Sequence, residues 1–163
     1  MESPKGCSCE ARGYGHVLIQ VLDRDGRELR RVTGHNTLTR LGMNFIAHRT
    51  FKSTSAVMAW MQMGTGNLTP NSSQTNLDSP LTTAVIANRQ SVQAASMTMS
   101  GETGKWEHTW TPGEFSATGV QEVGLFNDNT SGVGIMMARY RFTAVPKSLS
   151  DQIKVTWKLH ISI

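Results

Sequence analysis

The residues able to do chemistry are scattered along this 163-residue chain rather than gathered. The five histidines, His16, His35, His48, His108 and His160, include no pair at metal-ligand spacing, and the twelve carboxylates stand singly apart from Asp23 and Asp25. Catalysis needs titratable groups that converge, and nothing in the spacing marks a Ser-His-Asp set or a carboxylate pair, although the fold could still assemble one. Asp23-Arg24-Asp25-Gly26 opens like a calcium loop but lacks the further oxygen ligands and the closing Glu, so it predicts a turn. Gly64-Thr65-Gly66 hints at phosphate binding, yet no Gly-Lys-Ser/Thr follows and no helical period opens after it. Glu122 stands out, because it sits between Val120 and Gly124 in an apolar run. It predicts a carboxylate that either faces inward or pairs with an arginine such as Arg139, structural rather than acid–base in role. The expectation is a protein that is not an enzyme and holds no cofactor and no metal.

The two cysteines, Cys7 and Cys9, lie one residue apart near the start. On an extended chain they point to opposite sides, so a bridge between them would be strained, and two ligands do not complete a zinc site. Two readings stay open: free thiols in a flexible arm, or cross-links between neighbouring copies. Residues 1–13 have one Pro, two Gly, mixed charge and no periodicity, so they predict an arm that is disordered alone or ordered on a partner.

The elements that must position these residues are strands. Ile153 to Ile163 alternates apolar at every odd position and polar at every even one, the pattern of a strand with one dry face and one wet face. Its polar row, Lys154, Thr156, Lys158, His160 and Ser162, is a candidate partner or inter-subunit face, with Lys154 and Lys158 as its candidate contacts; His160 itself reads as a solvated imidazole. Residues 16–22, the turn at 23–26 and residues 27–32 predict a hairpin. Leu38, Leu41, Phe45 and Ile46 share one helical face, so a helix is expected over 36–48, capped by Thr37 or Thr39, with His48 on the surface at its last turn. A strand at 56–63, a long polar surface loop at 67–80, and strands at 84–87, 92–99, 105–111, 120–126, 134–142 and 153–163 follow, with a turn at 145–151. Trp106, His108 and Trp110 share one face, and so do Met136, Ala138, Tyr140 and Phe142. Most of the nine methionines should fill the core, with Met137 and Met58 or Met63 as candidates for an outward face. The fold class expected is all-β: a β-sandwich or jelly roll of about eight strands with one short helix, occupying 14–163 behind the arm.

Composition agrees with that class. Charged residues make up only 17%, against a usual share of about a quarter, and Gly, Ser and Thr are frequent. The net charge of +4 comes without a dense basic patch or interleaved exposed aromatics, which disfavours nucleic acid as a partner. There is no apolar run long enough to span a membrane, and residues 1–5 lack the apolar centre of an export signal. A soluble chain is expected.

Three segments together resemble a known family. They are Asn36 to Ala47; Met61-Gln62-Met63-Gly64-Thr65-Gly66 followed by Pro70 and Leu77 to Leu81; and Gly119 to Asn127 followed by Met136-Met137-Ala138-Arg139, Val145-Pro146-Lys147 and Val155-Thr156-Trp157. In order and spacing they resemble the small virion structural proteins of tailed bacteriophages known as head-decoration, head-fibre or tail-fibre-like proteins. The resemblance covers 36–163 and leaves the Cys7–Cys9 arm outside. It implies a β-sandwich without enzyme activity, present in several copies and often trimeric. It further implies a virion location, with assembly in the host cytoplasm, and the major capsid protein or other virion subunits as partners. A capsid decoration (cement) protein is the first reading, and a neck, collar or tail-fibre component the second. A carbohydrate-binding adhesion module, stacking sugars on an exposed Trp106 or Trp110, is the alternative of another class.

Overall fold

The computed structural model describes residues 12–51, 56–82, 89–92 and 96–162. Cys7, Cys9 and the strand expected at 84–87 lie outside the described residues.

The regular alternation of the last stretch places it at the centre of a sheet. The terminal strand β10 (Gln152–Ser162) pairs on one side with β1 (Arg12–Leu22) and on the other with β7 (Thr103–Trp110), both antiparallel. With β2 (Glu28–His35) beyond β1 and β6 (Met97–Ser100) beyond β7, this front sheet has the order β2-β1-β10-β7-β6. The back sheet has the order β3-β9-β8-β4-β5, built from β3 (Thr37–Leu38), β4 (Trp60–Gly64), β5 (Gln90–Ser91), β8 (Ala117–Phe126) and β9 (Met136–Lys147). The protein is an all-β sandwich. The ten strands among the described residues exceed the expected eight or so, three of the edge strands being only two to four residues long.

Between the sheets, the odd residues of β10 (Ile153, Val155, Trp157 and Leu159) meet Val17, Ile19 and Val21 of β1 and Met61, Met63, Val123 and Leu125 of the back sheet. Burying such side chains is worth about 1.5–3 kcal/mol each, which is the main force holding the layers together. The β1–β2 hairpin forms where expected, and its Asp-x-Asp-Gly is a turn. Asp23 Oδ1 accepts from the backbone N–H groups of Asp25 and Arg27, and Gly26 takes the left-handed φ of +83° that the reversal needs.

Several local expectations are corrected. The helix α1 runs Arg40–Phe51, not 36–48, because Leu38 is drawn into β3, where it pairs with Ala138. Thr39, one of the two candidate caps, accepts from Gly42 N–H at 2.9 Å, so the helix cannot begin before it. Leu41, expected on the buried face, is exposed. The strand expected at 56–63 begins only at Trp60; of the strand expected at 92–99, Met97 to Met99 belong to β6, Val92 follows β5, and 93–95 lie outside the described residues. β9 continues through Pro146, where a turn was expected. Near Pro146, among the described residues, only β8 lies alongside in hydrogen-bonded register, with Val145 opposite Val120 and Lys147 opposite Ala117, so the missing proline donor has no described strand to serve. A register shift beside Phe126 also splits the expected β9 face. Met136 packs outside with Leu77 and Phe126, whereas Met137, Ala138, Tyr140 and Phe142 face the core.

Candidate interaction face

The two sheets differ in what covers their outer faces. The back sheet is closed by the polar segment 65–82, and the residue that fastens it is Glu122. Opposite an apolar core, β8 turns Glu122 outward beside Gly64 of β4, where the side chain is fully buried under the loop. Its carboxylate accepts from the backbone N–H groups of Gly66 (2.9 Å), Ser79 (2.8 Å) and Asp78 (3.0 Å) and from Arg139 Nε (2.8 Å). Arg139, 1% exposed, also donates to the Gln74 side chain. Burying a carboxylate is costly unless it is paired and hydrogen-bonded; here one arginine and three amides meet that need. The two glycines of Gly64-Thr65-Gly66 make the approach possible. A Cβ on Gly64 would lie 2.3 Å from Glu122 Oε1, and one on Gly66 would lie 2.5 Å from the same atom. The motif that resembled a phosphate loop therefore cradles the protein's own carboxylate.

The three segments of the resemblance meet around this knot. Thr39 Oγ1 donates to the Met136 carbonyl, and Gly42 of α1 lies against the Met137 backbone, which a Cβ would approach to 2.2 Å. The Glu122 carboxylate and the Nε and Nη1 groups of Arg139 are spent on the chain's own backbone and side chains, while Arg139 Nη2 is buried without a hydrogen-bond partner.

The front sheet, in contrast, presents its polar side to solvent. Even residues of β10 line up with even residues of β1 and odd residues of β7 in a fixed register: Tyr14, His160 and Thr103 in one row, His16, Lys158 and Lys105 in the next, then Leu18, Thr156 and Glu107, then Gln20, Lys154 and Thr109. His35 of β2 extends the second row, its ring edge-on to His16 at 5.8 Å. Glu107 bridges Lys154 (2.9 Å) and Lys105 (3.2 Å) and accepts from Thr156 Oγ1 (3.0 Å). Burial alone would raise the Glu107 carboxyl, but these hydrogen bonds outweigh it and hold the group below the ordinary carboxylate range.

Of the predicted contacts, Lys154 and Lys158 both lie on this face, Lys154 engaged with Glu107 and Lys158 exposed with no carboxylate within ion-pair distance among the described residues. His160, expected to be solvated, is partly buried, bonded to Thr103 Oγ1 at 3.0 Å and tilted against the Tyr14 ring at 4.9 Å between centroids. The sequence alone did not single out Tyr14, His16, Thr103, Lys105 or Glu107 as belonging with them. The alternation within each strand could have placed these residues on a wet face, but only strand order makes them neighbours. The outward-face methionine candidates are corrected: Met58, Met63 and Met137 are buried, and among the described residues Met99 and Met43 are exposed. The two tryptophans named for sugar stacking differ. Trp110 is 1% exposed inside the sandwich, and Trp106, partly buried, lines an apolar groove of about 500 Å³ with its indole N–H given to the Met58 carbonyl at 2.7 Å.

Fold and surface define an all-β sandwich with one covered and one open sheet. Comparison of the chain with family models, curated proteins and solved structures finds no match. No helix among the described residues is long and apolar enough to cross a membrane.

Proposed function

We propose that this chain is a non-enzymatic structural protein of a tailed-bacteriophage particle, a capsid decoration protein that binds the outer surface of the shell as a homo-oligomer, a trimer in the first instance. The observation that supports this reading is the use made of the resemblance-bearing residues. Glu122, Arg139, Gly64, Gly66, Thr39 and Gly42 all serve one internal knot that fastens a surface loop and the helix to the back sheet. A scaffold of this kind holds faces rigid for assembly, and the open front sheet is the broad face left for a neighbour. A neck, collar or tail-fibre component would use the same scaffold at lower copy number.

Two measurements test the proposal. Quantitative mass spectrometry of purified particles of the encoding phage should find the protein at shell stoichiometry; the low stoichiometry of a neck or fibre would favour the second reading, and absence from particles would end both. Non-reducing gels of those particles, with Cys7→Ser and Cys9→Ser variants, decide between free thiols and cross-links between copies.

A further inference from the structure

We propose that a shallow cleft on the open front sheet is a receptor for a carboxylate carried by an acidic segment of a protein partner. The cleft is lined by Tyr14, His16, Thr103, Lys158 and His160 and has a volume of about 180 Å³. Its five side chains come from three adjacent strands, brought side by side by the pairings of Tyr14 with His160, His16 with Lys158, and His160 with Thr103. Every lining group can donate a hydrogen bond, one is a fixed cation, and none is a carboxylate.

Among the described residues, Lys158 is the group the cleft leaves uncommitted. Its cross-strand neighbours are His16 on β1 and Lys105 on β7, so no acid sits opposite it. The nearby carboxylate of Glu107 is already shared by Lys105 and Lys154. Beyond His16, β2 contributes His35, another nitrogen heterocycle rather than an acid. Glu102, on the turn before β7, is the one carboxylate within ion-pair distance of a lining residue among the described residues. It reaches His160 Nε2 only at 3.6 Å while its side chain stays 62% exposed. This contact leaves Lys158 untouched.

Size and shape narrow the ligand. Pockets for whole small molecules usually enclose about 300–1,000 Å³, whereas this space suits a single acidic side chain. Lying on a flat sheet face, it is best reached by a side chain projecting from another protein surface, and opposite charge across such a contact sets orientation and partner choice. The inference rests on the reading that the chain assembles on a partner and names the chemistry of that contact.

The test is a titration of isotope-labelled full-length protein with an oligoglutamate peptide, followed by NMR at the imidazoles of His16 and His160 and the methyl of Thr103. Saturable shifts at these positions are expected, with affinity falling about fivefold in Lys158→Gln at unchanged melting temperature and rising in Glu102→Gln. Absence of shifts, equal affinity in Lys158→Gln, or tighter binding of a single-stranded oligonucleotide to the same residues overturns the proposal. If the protein occurs on particles while the peptide leaves these signals unmoved, the cleft fails and the virion reading survives. If the peptide binds as described but the protein is absent from particles, the cleft stands and the virion reading fails.

Discussion

Removing the Glu122 side chain should unfasten the back of the sandwich and do so unequally to removing its partner. In Glu122→Ala, Arg139 is left buried with the Gln74 side chain as its remaining acceptor among the described residues, and the backbone donors of Gly66, Asp78 and Ser79 lose theirs. Breaking a buried ion pair from one side costs about 3–5 kcal/mol. A domain of this kind has about 5–15 kcal/mol of stability in all, so the loss is a large fraction and corresponds to a fall of about 6–20 °C in melting temperature. In Arg139→Met the carboxylate keeps all three amide donors, and the loss should be nearer about 1–3 kcal/mol. Urea unfolding followed by the fluorescence of the buried Trp110 and Trp157 gives both values. Hydrogen exchange supplies the local signature: the amides of Gly66, Asp78 and Ser79 should lose protection in Glu122→Ala and retain most of it in Arg139→Met. Equal losses in the two variants, or unchanged protection of those amides in Glu122→Ala, would refute the reasoning.

Three further outcomes follow from named contacts. Gly66→Ala should destabilise the protein by more than Gly26→Ala, because its Cβ would collide with Asp78 and Glu122 while Gly26 has open space and carries only the cost of a left-handed φ, about 1–2 kcal/mol; paired thermal melts decide this. Thr39→Ala removes the α1 cap and a donor to the Met136 carbonyl and should cost about 0.5–2 kcal/mol with loss of amide protection at Gly42. Burial holds His108 below the ordinary histidine value, against smaller opposing effects of Glu114 and a backbone hydrogen bond with Ser91. The neutral ring therefore contributes stability that is complete above about pH 6.5 and is lost as pH falls toward its folded value. Denaturant melts between neutral and mildly acidic pH should show a shallower decline for His108→Gln than for the wild type.

The sequence carried the layers better than their seams. Strict alternation in 153–163 was enough to identify a half-buried strand, and it is the central strand of the front sheet. The Glu122–Arg139 pair was legible too, since a carboxylate in an apolar run needs a partner and an arginine lay one strand away. What sequence could not carry was tertiary competition. Leu38 fits a helical period but is captured by β9, and Pro146 reads as a turn until one sees that the flank beside it is free of a paired strand among the described residues. The candidate face failed for the same reason. Tyr14, Thr103 and Lys158 are far apart in the chain, and no local pattern announces that β1 and β7 flank β10. The glycines of Gly64-Thr65-Gly66 were noticed as a motif, but their purpose depends on a carboxylate more than fifty residues away.

The most direct measurement is a cryo-EM map of the intact encoding particle, fitted with the sandwich. The protein should sit on the outer surface of the shell, with the front-sheet face bearing Lys158 and His160 against an acidic segment of a neighbouring subunit and the 65–82 loop turned away from it. A map in which the protein is absent, or lies with the front sheet exposed to solvent throughout, would contradict the proposed role and its docking face.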